Sequence, residues 1–232
     1  MRSLLGAVQF LTVIPVRGAT APPGASAPWF PLVGVALGAG AGAVVLAIPG
    51  PLGAAVALVL LTAATGGLHE DGLADVADAV RAGRTPERIH DILKDSRVGA
   101  YGVLAIVFSI LVRWQALSLV AAPVPALAAA AALSRATMVG LAWTAPPAGD
   151  GLGAAFIATL RLPGIALMLG AAAAALAGPS AIFLIAFNAL LVAAARAWFV
   201  RRLGGVTGDC LGATAQVSEC LSLVVLACEL ST

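Results

Sequence analysis

The chain has 232 residues, 61% of them hydrophobic and only 10% charged, with a net charge of +2. A mean hydropathy of +1.03, against about 25% charged residues in soluble domains, makes this an integral membrane protein, and the net charge is too small to suggest a nucleic-acid binder. Cys210, Cys220 and Cys228 have neither CxxC spacing nor a His pairing, which argues against a disulfide framework and a zinc site.

At the N-terminus, Arg2, an apolar run over residues 4–16 and Ala19-Thr20-Ala21 imitate a secretory signal with a small-residue cleavage site. Pro15 and Arg17 interrupt the run and many apolar segments follow, so the reading is a retained amphipathic or interfacial helix. A span needs about 20 apolar residues. The expected spans are 30–48, 52–68, 100–120, 125–144, 165–178, 181–200 and a short last one at 220–230. These predict an all-α fold: one polytopic transmembrane helical bundle over 1–232, with about six or seven spans.

Every second connection is tight, Pro-bearing and uncharged: Pro49-Gly50-Pro51, Pro123-Val124-Pro125 and Gly178-Pro179. The alternate connections hold Arg81, Arg84, Arg88, Lys94 and Arg97, then Arg161, then Arg201 and Arg202. With Arg2 and Arg17 ahead of the first span, the excess of cytoplasmic Lys and Arg found in membrane proteins predicts a cytoplasmic N-terminus and cytoplasmic charged loops. Gly34, Gly38 and Gly42 form a small-residue stripe of the kind that packs helices closely.

Seven of the 11 acidic residues lie between His69 and Arg97, in the expected cytoplasmic loop 69–99 joining the second and third spans. Charges beside lipid are costly and tend to mark function. Asp71, Asp75 and Asp78 are spaced i, i+4, i+7, which puts them on one helix face. Like charges in that row repel unless a cation sits among them. Carboxylate oxygens are hard donors suited to Mg2+, which commonly completes its shell with water and substrate phosphates. Glu70 is a further candidate ligand, and Gly72 is expected to leave backbone room for a phosphate.

Lys94-Asp95-Ser96-Arg97, followed by Gly99 and Gly102, reads as a phosphate grip in which Arg supplies a planar fork and Lys a point charge. A third motif runs from Gly208-Asp209 to Glu219. Its two carboxylates are candidates for further metal ligands or for positioning the nucleophile, with helix capping as the alternative role of Asp209. Arg135 stands mid-span, where an arginine pairs with a buried acid or lines a cavity. Arg113 and Arg196 are read as snorkelling. His69 is a candidate base or phosphate donor.

These motifs, together with Gln9-Phe10-Leu11-Thr12-Val13-Ile14-Pro15-Val16 and Phe30-Pro31-Leu32-Val33-Gly34, resemble cobalamin synthase, the adenosylcobinamide-GDP ribazoletransferase family of the late vitamin B12 pathway. The likeness runs in order along nearly the full chain, and departs at the short C-terminal segment. It implies a multi-pass enzyme of the bacterial inner membrane with its site facing the cytoplasm. It implies that α-ribazole, or its 5′-phosphate, displaces GMP from adenosylcobinamide-GDP. It is compatible with a homo-oligomer or association with other cobalamin-pathway enzymes. On this reading Asp71, Asp75, Asp78 and Asp209 are catalytic, and His69, Lys94, Ser96, Arg97 and Arg135 bind substrate. The metal ligands, for Mg2+, come from Glu70, Asp71, Asp75, Asp78, Asp209 and Glu219.

The competing classes are a CDP-alcohol phosphotransferase and a transporter. A CDP-alcohol phosphotransferase has parallel chemistry and an Asp-Gly-x-x-Ala-Arg run, but the Ala-Arg step is absent here. A transporter predicts midplane charges, broken helices and a repeat, whereas charge here gathers at one face.

Overall fold

A computed structural model describes residues 1–82, 85–93 and 97–228, and these form helices with one isolated bridge, Pro147 to Val206. The order is α1 (Arg2–Leu11), α2 (Pro23–Ser26), α3 (Phe30–Ala47), α4 (Pro51–Thr65), α5 (Leu68–Ala82) and α6 (Pro86–Leu93). There follow α7 (Ala100–Leu119), α8 (Pro123–Thr144), α9 (Leu152–Ala158), α10 (Pro163–Ala174), α11 (Ala181–Leu203) and α12 (Gly208–Cys228). Proline opens α4, α8 and α10 within the first two positions, where its missing N–H costs nothing.

Among the described residues, five helical runs are long and apolar enough to cross a membrane, and the bent pair α4–α5 brings the number to six. The chain is therefore a polytopic helical membrane protein. One of those runs, Pro163–Leu203, has 41 residues, roughly 60 Å at 1.5 Å per residue, about twice the hydrocarbon thickness. It breaks at Gly178 (φ 65°, ψ −136°), where the sequence placed a turn between two spans. Phe108, Leu111, Ile182, Phe183 and Leu190 project outward from α7 and α11, as lipid-facing side chains do.

The centre of the bundle is α8, in which residues 126–142 are all buried. Its alanines allow α3 to pack against it at backbone distance. A Cβ on Gly34, Gly38 or Gly42 would run into the main chain at Ala131, Leu127 or Val124. The glycine stripe thus packs helices, as its spacing predicts.

The last span differs from the sequence expectation. α12 is a 21-residue helix that begins at Gly208, not a short segment from residue 220. The helix is apolar enough to span; the sequence reading instead puts its first half, from Gly208-Asp209 to Glu219, at the membrane face as a site motif, whereas Glu219 and Ser222 face inward. Asn188 on α11 donates to the Ser222 hydroxyl at 3.1 Å, and Glu219 meets two arginines. With those groups satisfied inside the bundle, the helix crosses without exposing them to lipid.

Candidate active site at the crossing of α5 and α12

Two left-handed glycines, Gly66 (φ 65°) and Gly67 (φ 70°), end α4 and turn the chain by 88° into α5. Such φ values suit glycine, which has no Cβ to clash. The turn takes the acid-rich α5 off the α4 axis and lays it against α12. The contact is close because Gly72 and Gly212 meet there. A Cβ on Gly72 would stand 2.9 Å from the Asp209 carbonyl oxygen, and one on Gly212 3.3 Å from the Leu68 carbonyl. Gly72 therefore admits α12 rather than a phosphate, correcting the sequence expectation.

This crossing joins two motifs some 140 residues apart. Asp71 and Asp209 line one cavity of about 360 Å3. Asp75, one turn further along α5, feels both of them. Its carboxyl is raised to about 6, first by burial and then by the charges of Asp71, Asp209 and Asp78. Carboxylates close enough to hinder one another's ionisation are the arrangement that a divalent cation relieves. Thr207 caps α12, accepting the Cys210 N–H at 3.4 Å. Asp209 is accordingly not the cap, and its carboxylate accepts from the Thr207 hydroxyl at 3.3 Å.

Asp78 has a different place from Asp71 and Asp75. Its two oxygens accept the backbone N–H groups of Gly99 (2.7 Å) and Gly102 (2.9 Å), capping the N-terminus of α7 from across space. The positive end of a helix favours such a carboxylate. A Cβ on Gly99 or Gly102 would strike it, which accounts for both glycines. With each oxygen accepting a backbone N–H, Asp78 fixes α7 to α5, a role that the sequence reading did not give it.

Beneath the acidic face lies a buried ionic network. Arg113 on α7 pairs with Glu70 (2.9 Å) and Glu219 (3.0 Å), and Glu219 also pairs with Arg135 on α8 (2.9 Å). Both arginines are 1% exposed and Glu219 2%. Glu70 also accepts from the Thr62 hydroxyl (3.2 Å), and the Gln216 amide, oriented to satisfy its neighbours, accepts from Arg113 at 2.7 Å. Unpaired charges at this depth would cost several kcal/mol each, so the network ties α5, α7, α8 and α12 together. It corrects three sequence assignments. Glu70 and Glu219 hold guanidinium groups instead of a metal, and Arg135 is enclosed with Glu219 instead of reaching substrate. The mid-span pairing expected of Arg135 does hold. Arg113, read as snorkelling, is the hub of the network.

His69, at the start of α5, is 3% exposed and lines the cavity, and its Nε2 has no hydrogen-bond partner. Burial, followed by the nearby charges of Arg135 and Arg113, lowers its pKa well below the usual value, so the imidazole is neutral. Arg97 is exposed before α7. Lys94 and Ser96, the other members of the expected phosphate grip, lie outside the described residues.

The sequence reading missed Asp150 and the aromatic wall. Asp150 sits at the cavity between Gly149 (φ 74°) and Gly151 (φ 138°). Its loop is held by Ala148 N–H to the Val206 carbonyl and Val206 N–H to the Pro146 carbonyl, both 2.9 Å. The flanking glycines were the available signal. Phe10 and Phe156 line the cavity and stack with Phe30, at centroid distances of 5.4 Å (Phe10–Phe30), 5.6 Å (Phe30–Phe156) and 6.0 Å (Phe10–Phe156).

Comparison with known families matches residues 3–227 to the cobalamin-5-phosphate synthase family. Among similar proteins, one from Mesorhizobium japonicum is 44% identical over 185 residues, covering 77% of this chain and 71% of the relative. One from Pseudomonas paraeruginosa is 40% identical over 240 residues, covering 98% of each. One from Geotalea daltonii is 36% identical over 239 residues, covering 97% of each. All three are named adenosylcobinamide-GDP ribazoletransferase. No solved structure matches the chain.

Proposed function

Since the chain belongs to the cobalamin-5-phosphate synthase family, we propose that it joins adenosylcobinamide-GDP to α-ribazole, or to α-ribazole 5′-phosphate, and releases GMP. The observation that carries this reading is the convergence of Asp71 and Asp209 on the cavity at the α5–α12 crossing, with Asp75 close enough to feel both charges. In the reaction a ribose hydroxyl oxygen forms a bond to the phosphorus attached to cobinamide. The bond from that phosphorus to the bridging oxygen breaks, and GMP departs with the electron pair. Such a transfer is accelerated chiefly by positioning and charge neutralisation.

A divalent cation, Mg2+, belongs to the proposal. Among the described residues no three His, Cys, Asp or Glu side chains close on a common point as a cage. Mg2+ does not require one, since it is commonly held by one or two carboxylates and completed by substrate phosphates. Asp71 and Asp75, adjacent on one helix face, fit that pattern, and the mutual repulsion at Asp75 supports it. When bound, the ion supplies neutralisation of phosphate charge. Asp209, which lines the same cavity from α12, takes the hydroxyl proton on its carboxylate. Glu70, Arg113, Glu219 and Arg135 hold the two helices in register.

For placement we propose the bacterial inner membrane with the site facing the cytoplasm. Arg2, Arg17, Arg88, Arg161, Arg201 and Arg202 are exposed in the charged connections and at the N-terminal end, in keeping with the positive-inside bias. The decisive experiment uses purified protein in lipid nanodiscs with both substrates and Mg2+. GMP and the condensed corrinoid are expected in equal amounts, and only when both substrates are present. Failure to form the corrinoid product would overturn the proposal.

A further inference from the structure

The cavity of about 360 Å3 lies at the small end of the range for ligand pockets, about 300–1,000 Å3. It suits a nucleoside, while a corrin macrocycle with its nucleotide tail is far larger. Two nucleosides take part in the proposed reaction: the benzimidazole riboside that accepts and the guanosine that leaves. The walls distinguish them. Phe10, Met138 and Phe156 offer flat and apolar surface, and His69 offers a buried Nε2 with no partner. A 5,6-dimethylbenzimidazole joined to ribose has two aromatic faces, two methyl groups and one free ring nitrogen, an acceptor. Guanine carries several donors and acceptors along its edge; Asp71, Asp150 and Asp209 at this cavity can take its donors, but the wall of Phe10, Met138 and Phe156 offers its acceptors no partner. An imidazole N–H at the buried, unpartnered Nε2 matches the single acceptor of the benzimidazole. Asp71 and Asp209 line the same cavity as the phenylalanines, so it also offers carboxylates for the hydroxyls of the ribose.

We propose that this cavity is the acceptor subsite: Phe10, Met138 and Phe156 hold the benzimidazole of α-ribazole, and His69 Nε2–H donates to its free ring nitrogen. Adenosylcobinamide-GDP is then bound outside it, approaching the carboxylates from the mouth. The assignment rests on the transferase reading above, yet it is separable from it.

The test measures KM for each substrate, with the whole protein in nanodiscs, using α-ribazole and its 5,6-dimethylindole riboside analogue, which keeps the shape but lacks the free ring nitrogen. The analogue is expected to have a KM about five- to tenfold higher, the usual value of one hydrogen bond. His69→Phe should raise the KM for α-ribazole by the same factor, erase the difference between the two acceptors and leave the KM for adenosylcobinamide-GDP within about twofold. His69→Gln, which retains a donor, should restore part of the discrimination. Equal KM values for the two acceptors in the unsubstituted protein would overturn the assignment without any variant needing to fold. So would an effect of His69→Phe confined to adenosylcobinamide-GDP, or competitive displacement of α-ribazole by GMP. If no GMP is released at all, the transferase reading fails. Direct binding of α-ribazole and GMP then decides the subsite: α-ribazole alone binding supports it, and GMP alone binding refutes it.

Discussion

Glu219 separates the two roles that an acidic residue in this chain can play. Its carboxylate bridges Arg113 at 3.0 Å and Arg135 at 2.9 Å, with 2% of the residue exposed. Glu219→Gln preserves the side-chain shape and removes the charge. Arg113 then keeps Glu70 as its partner, but Arg135 loses the ion pair that balances its buried charge. Its Nε already lacks a partner, leaving only neutral oxygens such as the Ser134 hydroxyl (2.8 Å). Breaking one side of a buried pair costs about 3–5 kcal/mol, a large share of the roughly 5–15 kcal/mol that holds a typical domain. On the usual conversion of about 2–4 °C per kcal/mol at this chain length, the melting temperature should fall by roughly 6–20 °C. The assay is thermal unfolding in nanodiscs, paired with GMP release measured well below the new midpoint. Folded Glu219→Gln protein should keep most of its rate and its Mg2+ dependence. A variant with unchanged melting temperature but abolished turnover or weakened Mg2+ affinity would refute the reasoning and return Glu219 to the metal site.

Asp71→Asn removes a charge where phosphates are to be bound, and turnover should fall at least about a hundredfold, near 2.7 kcal/mol of transition-state stabilisation; single-turnover GMP release checks it. Asp75 has its carboxyl raised to about 6, so it ionises only above that pH and repels its neighbours when it does. Its contribution to the metal-free fold is therefore full only below about 3.8, the ordinary carboxyl value, and is lost as pH rises from there through about 6, whereas Mg2+ needs the ionised form. Mg2+ should raise the melting temperature at pH 7.5 and do little at pH 5, as unfolding scans at both values will show. Asp78→Ala frees the N–H groups of Gly99 and Gly102 and should cost about 1–2 kcal/mol, seen as a lower melting temperature and faster hydrogen exchange at the start of α7. A cysteine at Arg88, exposed on α6, should react with an impermeant thiol reagent only after cells are opened; labelling of intact cells would reverse the topology.

Much of this molecule is written locally. Runs of apolar residues about 20 long place the spans because hydrocarbon thickness sets their length, and Gly34, Gly38 and Gly42 mark the α3–α8 contact because four-residue spacing keeps them on one face. The same periodicity puts Asp71 and Asp75 together, and the cost of an unpaired mid-span charge foretells that Arg135 has an acidic partner. Which acid it is belongs to the tertiary structure. Glu219 lies 84 residues from Arg135 and 106 from Arg113, and nothing in the spacing distinguishes it from Asp209 as a metal ligand. Only the packing of α12 against α7 and α8 turns Glu219 inward to the arginines, while Asp209 stays at the cavity. Asp78 belongs to the same helix-face row as Asp71, yet α7 begins beside it and takes both its oxygens. Phe10 and Phe156, 146 positions apart, form one wall because α1 and α9 converge there. Helical periodicity fixes the direction in which each side chain leaves its own helix; the neighbour it meets depends on how distant helices cross, and here Gly72 against α12 decides that crossing.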